Sequence, residues 1–285
     1  MDIHHGSNDS MAAALLAVGL VAGCCGGSNP TTVAATSAVA GTVADGYLVG
    51  ATVFLDKNGN YQPDAGEPST TTGADGAYTL NVATADLGRH PIIALAIKGR
   101  TMDMDTNQTV PESYLLTLPA EAVSGSVNSN FISPFSTLME EKMAANPGMT
   151  LNEAMIQLRN QMNLPAGSNM MADYVAGARS GSDAARYQVM HDTARKMAAL
   201  MAGQAGLDMN GGWNLNRYRG MMGTINSNLS AITANRMDSP FLTGMMSRIQ
   251  AQPGRIPVTG GFGNYSGMFR NMTNHRFFGG VPAGQ

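Results

Sequence analysis

Gly41-Thr-Val-Ala-Asp-Gly-Tyr-Leu-Val-Gly-Ala-Thr-Val-Phe-Leu-Asp56 runs directly into Lys57-Asn-Gly-Asn-Tyr-Gln-Pro-Asp-Ala-Gly-Glu67, and the reading of these residues decides the fold. Ala51–Leu55 is a β-branched and aromatic run, which predicts a strand. From Asp56 onward, side-chain oxygens fall at loop positions 1, 3, 5, 9 and 12, carried by Asp56, Asn58, Asn60, Asp64 and Glu67, with Gln62 at position 7. Hard oxygen donors at that rhythm suit a calcium ion. Pro63 and Pro68 exclude the helix pair that flanks such a loop in an EF-hand, so the loop belongs to a β region. At position 6, where glycine ordinarily makes the sharp turn, stands Tyr61, with Gly59 and Gly66 to either side. An Asn- and Gly-rich hairpin turn with scattered acids is the competing reading.

Working outward, short apolar runs at Val39–Ala44, Ala51–Leu55, Ser69–Thr72, Ala77–Val82, Ile92–Lys98 and Tyr114–Leu118 predict six strands. The dipeptides Asp45-Gly46, Asn58-Gly59 and Asp75-Gly76 mark turns between them. So many short strands within residues 39–120 predict a small β-sandwich. The segment from Gly41 to Asp56, with Gly66-Glu67-Pro68 and Thr72-Gly-Ala-Asp-Gly-Ala-Tyr-Thr-Leu80, resembles the B-type repeats of bacterial surface adhesins and the carboxypeptidase regulatory-like domains. That resemblance implies a non-catalytic immunoglobulin- or transthyretin-like sandwich with structural calcium at the matching loop. It covers residues 39–120 only.

Beyond residue 121 the apolar period changes. Ser133-Pro134 places a capping serine before an N1 proline and opens a helix that Asn146-Pro147-Gly148 closes. Thr150 and Glu153 form a capping box for a helix ended by Pro165. A third helix starts at Ser182, with Tyr187, Met190, Ala194, Met197 and Met201 on one face. Leu215, Tyr218, Met222, Ile225, Leu229 and Ile232 repeat that spacing, and Ser239-Pro240 opens a last helix ending at Pro253-Gly254. The expected architecture is α+β and multidomain, an N-terminal sandwich followed by an all-α helical bundle over residues 121–255. Residues 256–285 form a glycine- and aromatic-rich tail without a core of its own.

The N-terminal residues predict where the chain is sent. Met11 to Gly23 is an uncharged apolar run too short for a membrane span and suited to the h-region of an export signal. It ends at Val21-Ala22-Gly23-Cys24, which resembles a bacterial lipobox. The resemblance implies cleavage of residues 1–23, lipidation of Cys24, and, with Cys25 rather than aspartate next, an outer-membrane or cell-surface destination. The segment before the apolar run carries no Lys or Arg, a departure from the usual signal. Residues 24–38 are small and polar and read as a flexible tether.

Composition agrees with an exported chain. Cys24 and Cys25 are the two cysteines, so the folded part has no disulfide framework and must rest on its cores. With 17 basic and 20 acidic residues the chain carries no field that would draw nucleic acid. The 22 methionines exceed ordinary usage, and thioethers are soft ligands suited to Cu(I). The candidates are Met102/Met104, Met170/Met171, Met190/Met197/Met201, Met221/Met222, Met245/Met246 and Met268/Met272, although helical spacing makes most of them core residues instead. There is no Gly-x-Ser-x-Gly elbow and no His-Glu-x-x-His helix, His191-Asp192 reads as a surface pair, and Glu140-Glu141 are adjacent on a helix and splayed apart. A lone Trp213 and Tyr218 read as packing anchors. The expectation is a non-catalytic lipid-anchored envelope protein that engages a cell-surface or extracellular protein or polysaccharide. A Met-based copper-binding lipoprotein and an uncharacterised hydrolase are the alternatives.

Overall fold

The computed structural model describes residues 35–125, 130–202 and 215–251. Strands come first, β1 (Thr36–Val43), β2 (Leu48–Val49), β3 (Thr52–Leu55), β4 (Ser69–Thr71), β5 (Ala77–Ala83), β6 (Ile92–Ala96), β7 (Met102–Asp103), β8 (Gln108–Thr109), β9 (Tyr114–Leu118) and β10 (Asn130–Ile132). Helices follow, α1 (Pro134–Ala145), α2 (Leu151–Gln161), α3 (Tyr174–Gly177), α4 (Ala184–Ala202), α5 (Leu215–Ser227), α6 (Leu229–Ala234) and α7 (Pro240–Ala251). The fold is therefore mixed α+β, with helices after strands.

Three sheets form, in the orders β10-β1-β5, β2-β7-β8 and β4-β3-β6-β9. In β5 every second side chain is buried, the pattern of a strand with one face on the core. In β6 and β9 every residue is buried, which is why their sequences, Ile-Ile-Ala-Leu-Ala and Tyr-Leu-Leu-Thr-Leu, do not alternate. β10 enters beside β1 in parallel, with Gly41 opposite Asn130. A methyl group on Gly41 would collide with the Asn130 carbonyl, so only glycine permits that approach.

Strand β9 lies at the end of its sheet, and the first turn of α1 covers its free edge. The Ser136 hydroxyl donates to the Thr117 carbonyl at 2.6 Å, and the Thr117 N–H donates to Thr137 Oγ1 at 2.9 Å. Side chains thus supply the partners a further strand would have given. The helix is held in place by Ser133, whose Oγ accepts from the Ser136 N–H while the Ser136 hydroxyl accepts from the Ser133 N–H. Thr150 and Glu153 make the same reciprocal cap on α2.

The buried apolar residues of the strands and of the helices belong to one continuous cluster, running from Val39 through Leu116 and Phe135 to Met197 and Ile249. Tyr174 is one of the residues that join the two: its ring stands edge-on to Phe131 and Phe135, and its hydroxyl donates to the Ala44 carbonyl at 2.8 Å. The six strands read from the sequence are all present. Four further short strands, β2, β7, β8 and β10, join them, and the expected helix over Leu215–Ile232 is divided into α5 and α6 at Asn228.

Candidate metal centre

Strand β3 delivers Asp56 to the start of the loop, and that carboxylate is 1% exposed. Its Oδ1 accepts from the N–H groups of Gly59 and Asn60 at 2.8 and 3.3 Å, and its Oδ2 accepts from Tyr61 N–H at 3.0 Å. Three backbone donors on one carboxylate give a tight turn around a fixed negative centre. The pattern continues down the loop, with Asn58 Oδ1 accepting from Asn60 N–H and Asn60 Oδ1 from Gln62 N–H. At its far end Glu67 closes the ring, Oε1 accepting from Lys57 N–H at 2.7 Å and Oε2 from Asp64 N–H at 3.1 Å.

The donor set is oxygen throughout, which is the chemistry a hard cation requires. In the arrangement described, Asp64 Oδ2 accepts from both Asn58 Nδ2 and Asn60 Nδ2, at 2.6 and 2.7 Å. The two amide groups occupy the place where positive charge on Asp64 is wanted. Among the described residues no group of three His, Cys, Asp or Glu side chains stands at metal-holding distance. The loop residues therefore fit calcium in kind and in order, while their hydrogen bonds close the loop on itself.

Tyr61 departs from glycine in identity and not in conformation. Its φ is +62°, the left-handed region that loop position 6 calls for. A non-glycine residue there is held at a cost of about 1–2 kcal/mol, and the compensation comes from its side chain. Tyr61 is buried, its hydroxyl donates to Glu141 Oε1 on α1 at 2.9 Å, and its ring lies 5.7 Å from that of Tyr218 on α5. Glu141 is buried too, and Arg219 Nε stands 3.7 Å from its Oε2. Burial raises the Glu141 carboxyl above its ordinary value, opposed by the Arg219 charge and the Tyr61 hydrogen bond. Neighbouring Glu140 is pushed up to about 7, by burial first and then by the Glu141 charge.

The sequence reading missed this connection. Nothing local to Tyr61 or to Glu140-Glu141 announces a contact between residues eighty positions apart. The one available signal was a tyrosine at a position that favours glycine.

Other expected sites fall as follows. Cys24 and Cys25, Trp213, Met268 and Met272 lie outside the described residues. Met190, Met197 and Met201 are buried in the core with Met170, Met221, Met222 and Met245, whereas Met102 and Met104 are exposed. Tyr218 is buried against Tyr61. His191 pairs not with the adjacent Asp192 but with Asp105, Nε2 to Oδ2 at 2.7 Å, where Arg195 Nε also approaches at 3.2 Å. Asp192 instead accepts from Gln188 on the same helix.

Comparison with known proteins found no matching family model, no matching curated protein and no matching solved structure.

Proposed function

We propose that the protein is a non-catalytic, lipid-anchored component of the bacterial cell envelope, in which a calcium-stabilised β-sandwich presents a helical layer to a cell-surface or extracellular protein or polysaccharide. The β10-β1-β5 and β4-β3-β6-β9 sheets are the halves of that sandwich in this reading, and the helices packed on β9 are the presenting layer. The observation that carries it is the loop around Asp56. Its carboxylate gathers three backbone N–H groups, its left-handed turn falls at position 6, and Glu67 closes the far end on Lys57 and Asp64. A loop needed only to reverse the chain between β3 and β4 has no use for six oxygen-bearing side chains in this order.

Asp56, Asn58, Asn60, Asp64 and Glu67 would hold the ion with side-chain oxygens and Gln62 with its backbone carbonyl. Bound calcium supplies the positive charge that the Asn58 and Asn60 amide groups partly provide to Asp64. Because Tyr61 is fixed to both α1 and α5, an ion that rigidifies the turn also stiffens the helical layer.

Anchoring rests on the apolar run and on Val21-Ala22-Gly23-Cys24. Diacyl modification at Cys24 gives stable attachment where one chain alone is marginal. In cells fed labelled palmitate, label should be incorporated into the wild-type chain, and Cys24→Ser should abolish both labelling and membrane recovery. An unlabelled wild-type protein recovered in the soluble fraction would refute the anchor.

A further inference from the structure

Away from the 56–67 loop, the 103–114 segment faces α4 across a cleft of about 280 Å³. Asp45, from the tight turn that pairs Ala44 with Tyr47, lines it together with Asp103, Tyr114 and Arg195. The remaining wall is largely apolar, contributed by Val110, Ala198, Ala199 and Met237.

Asp45 is 7% exposed. Its Oδ2 accepts from the Tyr114 hydroxyl at 2.8 Å, and its Oδ1 has no side-chain or backbone hydrogen-bond partner among the described residues. A buried carboxylate oxygen left without a donor is costly, so this atom is placed to receive one. The turn also crowds other acids around it. Gly46 lacks the Cβ that would stand 2.6 Å from Asp105 Cγ and 2.7 Å from Asp103 Oδ1, and its absence lets both side chains pack over the turn.

Three carboxylates therefore surround one turn, and the nearby cations serve only one of them. His191 and Arg195 both engage Asp105 Oδ2. Asp103 accepts from the Asp105 N–H and the Thr106 hydroxyl, and among the described residues neither Asp45 nor Asp103 makes an ion pair. The cleft thus joins two carboxylates that are in no ion pair to a largely apolar wall.

We propose that this cleft binds a small organic ammonium ion, whose N–H donors engage Asp45 and Asp103 while its hydrocarbon part lies against Val110, Ala198 and Ala199. A bare metal ion suits the site less well, since an apolar wall offers it no ligands and no group of three metal-binding side chains converges among the described residues. An ammonium group with a few carbons matches both halves of the lining.

The test uses the full chain and n-butylammonium as probe, with 1-butanol, butyrate and potassium as controls, read by calorimetry. Butylammonium should bind saturably and the controls should not. Asp45→Asn retains an oxygen to accept from Tyr114 but removes the charge, and it should weaken binding at least tenfold. Ala199→Leu, which fills the cleft and leaves Asp45 intact, should do the same and serves as the deciding variant if Asp45→Asn does not fold. A second readout is proton release. Burial and the Asp103 charge hold Asp45 up at about 7, with Tyr114 hydrogen-bonded to it and Asp105 nearby, so the incoming cation should expel a fraction of a proton at pH 7, seen as a buffer-dependent binding enthalpy. No saturable binding, equal binding of 1-butanol, or undiminished binding by both variants would overturn the proposal.

Discussion

The Tyr61 hydroxyl donates to Glu141 Oε1 at 2.9 Å, tying the sixth residue of the 56–67 loop to a helix eighty positions later. Both side chains are buried, so the bond is shielded from water and its loss leaves a polar group stranded. The bond thereby fixes the loop against helix α1.

Tyr61→Phe keeps the ring beside Tyr218 and removes only the hydroxyl. It should destabilise the chain by about 1–3 kcal/mol in denaturant unfolding, because Glu141 loses a buried donor. Tyr61→Gly should relieve the backbone strain yet cost more than Tyr61→Phe, since the lost aromatic packing, about 3–5 kcal/mol, exceeds the roughly 1–2 kcal/mol of relief. Equal stabilities for Tyr61→Phe and the parent would show the contact to be idle.

Asp56 and Asp64 should separate when each is replaced by alanine. Asp56 accepts three backbone N–H groups, so Asp56→Ala should lower stability even in chelator. Exposed Asp64 holds only two side-chain amides, so Asp64→Ala should be mild in chelator and should cancel most of the gain from calcium. Parallel melting curves in calcium and in chelator check both statements.

Stability should fall as pH rises from about 4 to about 7. Asp45 is pushed up to about 7 from 3.8, by burial first and then by the Asp103 charge, and Glu140 to about 7 from 4.5, by burial and then by Glu141. An acid whose folded-state value is raised binds more protons folded than unfolded, so its contribution is full below the unfolded value and is lost as pH passes the folded one. For Asp105 burial is outweighed by the His191 hydrogen bond and charge together with the Arg195 and Arg179 charges, so its value is lowered and acts in the opposite sense, at lower pH. Asp45→Asn should flatten the decline in an unfolding series across that range, and an unchanged profile would contradict the assignment.

Replacing Met190, Met197 and Met201 by leucine should cost less than about 1.5 kcal/mol per site, because all three are core side chains of similar volume. A Cu(I) titration of parent and variant decides whether they have a second role. Metal binding by the parent that the triple variant loses would support the copper-binding alternative.

Much of the fold was legible because it is written in local chemistry. The strands at 52–55, 77–83 and 92–96 follow from short apolar runs, the first two beside turn dipeptides, and the starts of α1 and α2 follow from Ser133 and Thr150 with their reciprocal partners. What was not legible depends on contacts across the chain. β10 pairs with β1 about ninety positions away, a pairing that no local pattern announces, and β7 and β8 are too short to carry a period. The loop's oxygen spacing was evident, whereas the burial of Tyr61 on Glu141 was not, since a single tyrosine does not announce its partner. The Asp45 cleft is illegible for the same reason: Asp45 and Asp103 meet through the pairing of β2 with β7, and α4 brings Arg195 to them from far along the chain.

The most direct test of calcium stabilisation is calorimetric unfolding of the full chain in calcium and in chelator. Because the strands and helices share one core, calcium should raise the main transition of the whole molecule, by about 2.7 kcal/mol of added stability at a hundredfold excess over the dissociation constant, and Asp64→Ala should remove most of the difference. Superimposable melting curves in calcium and in chelator would contradict the account and leave the 56–67 segment a turn held by its own hydrogen bonds.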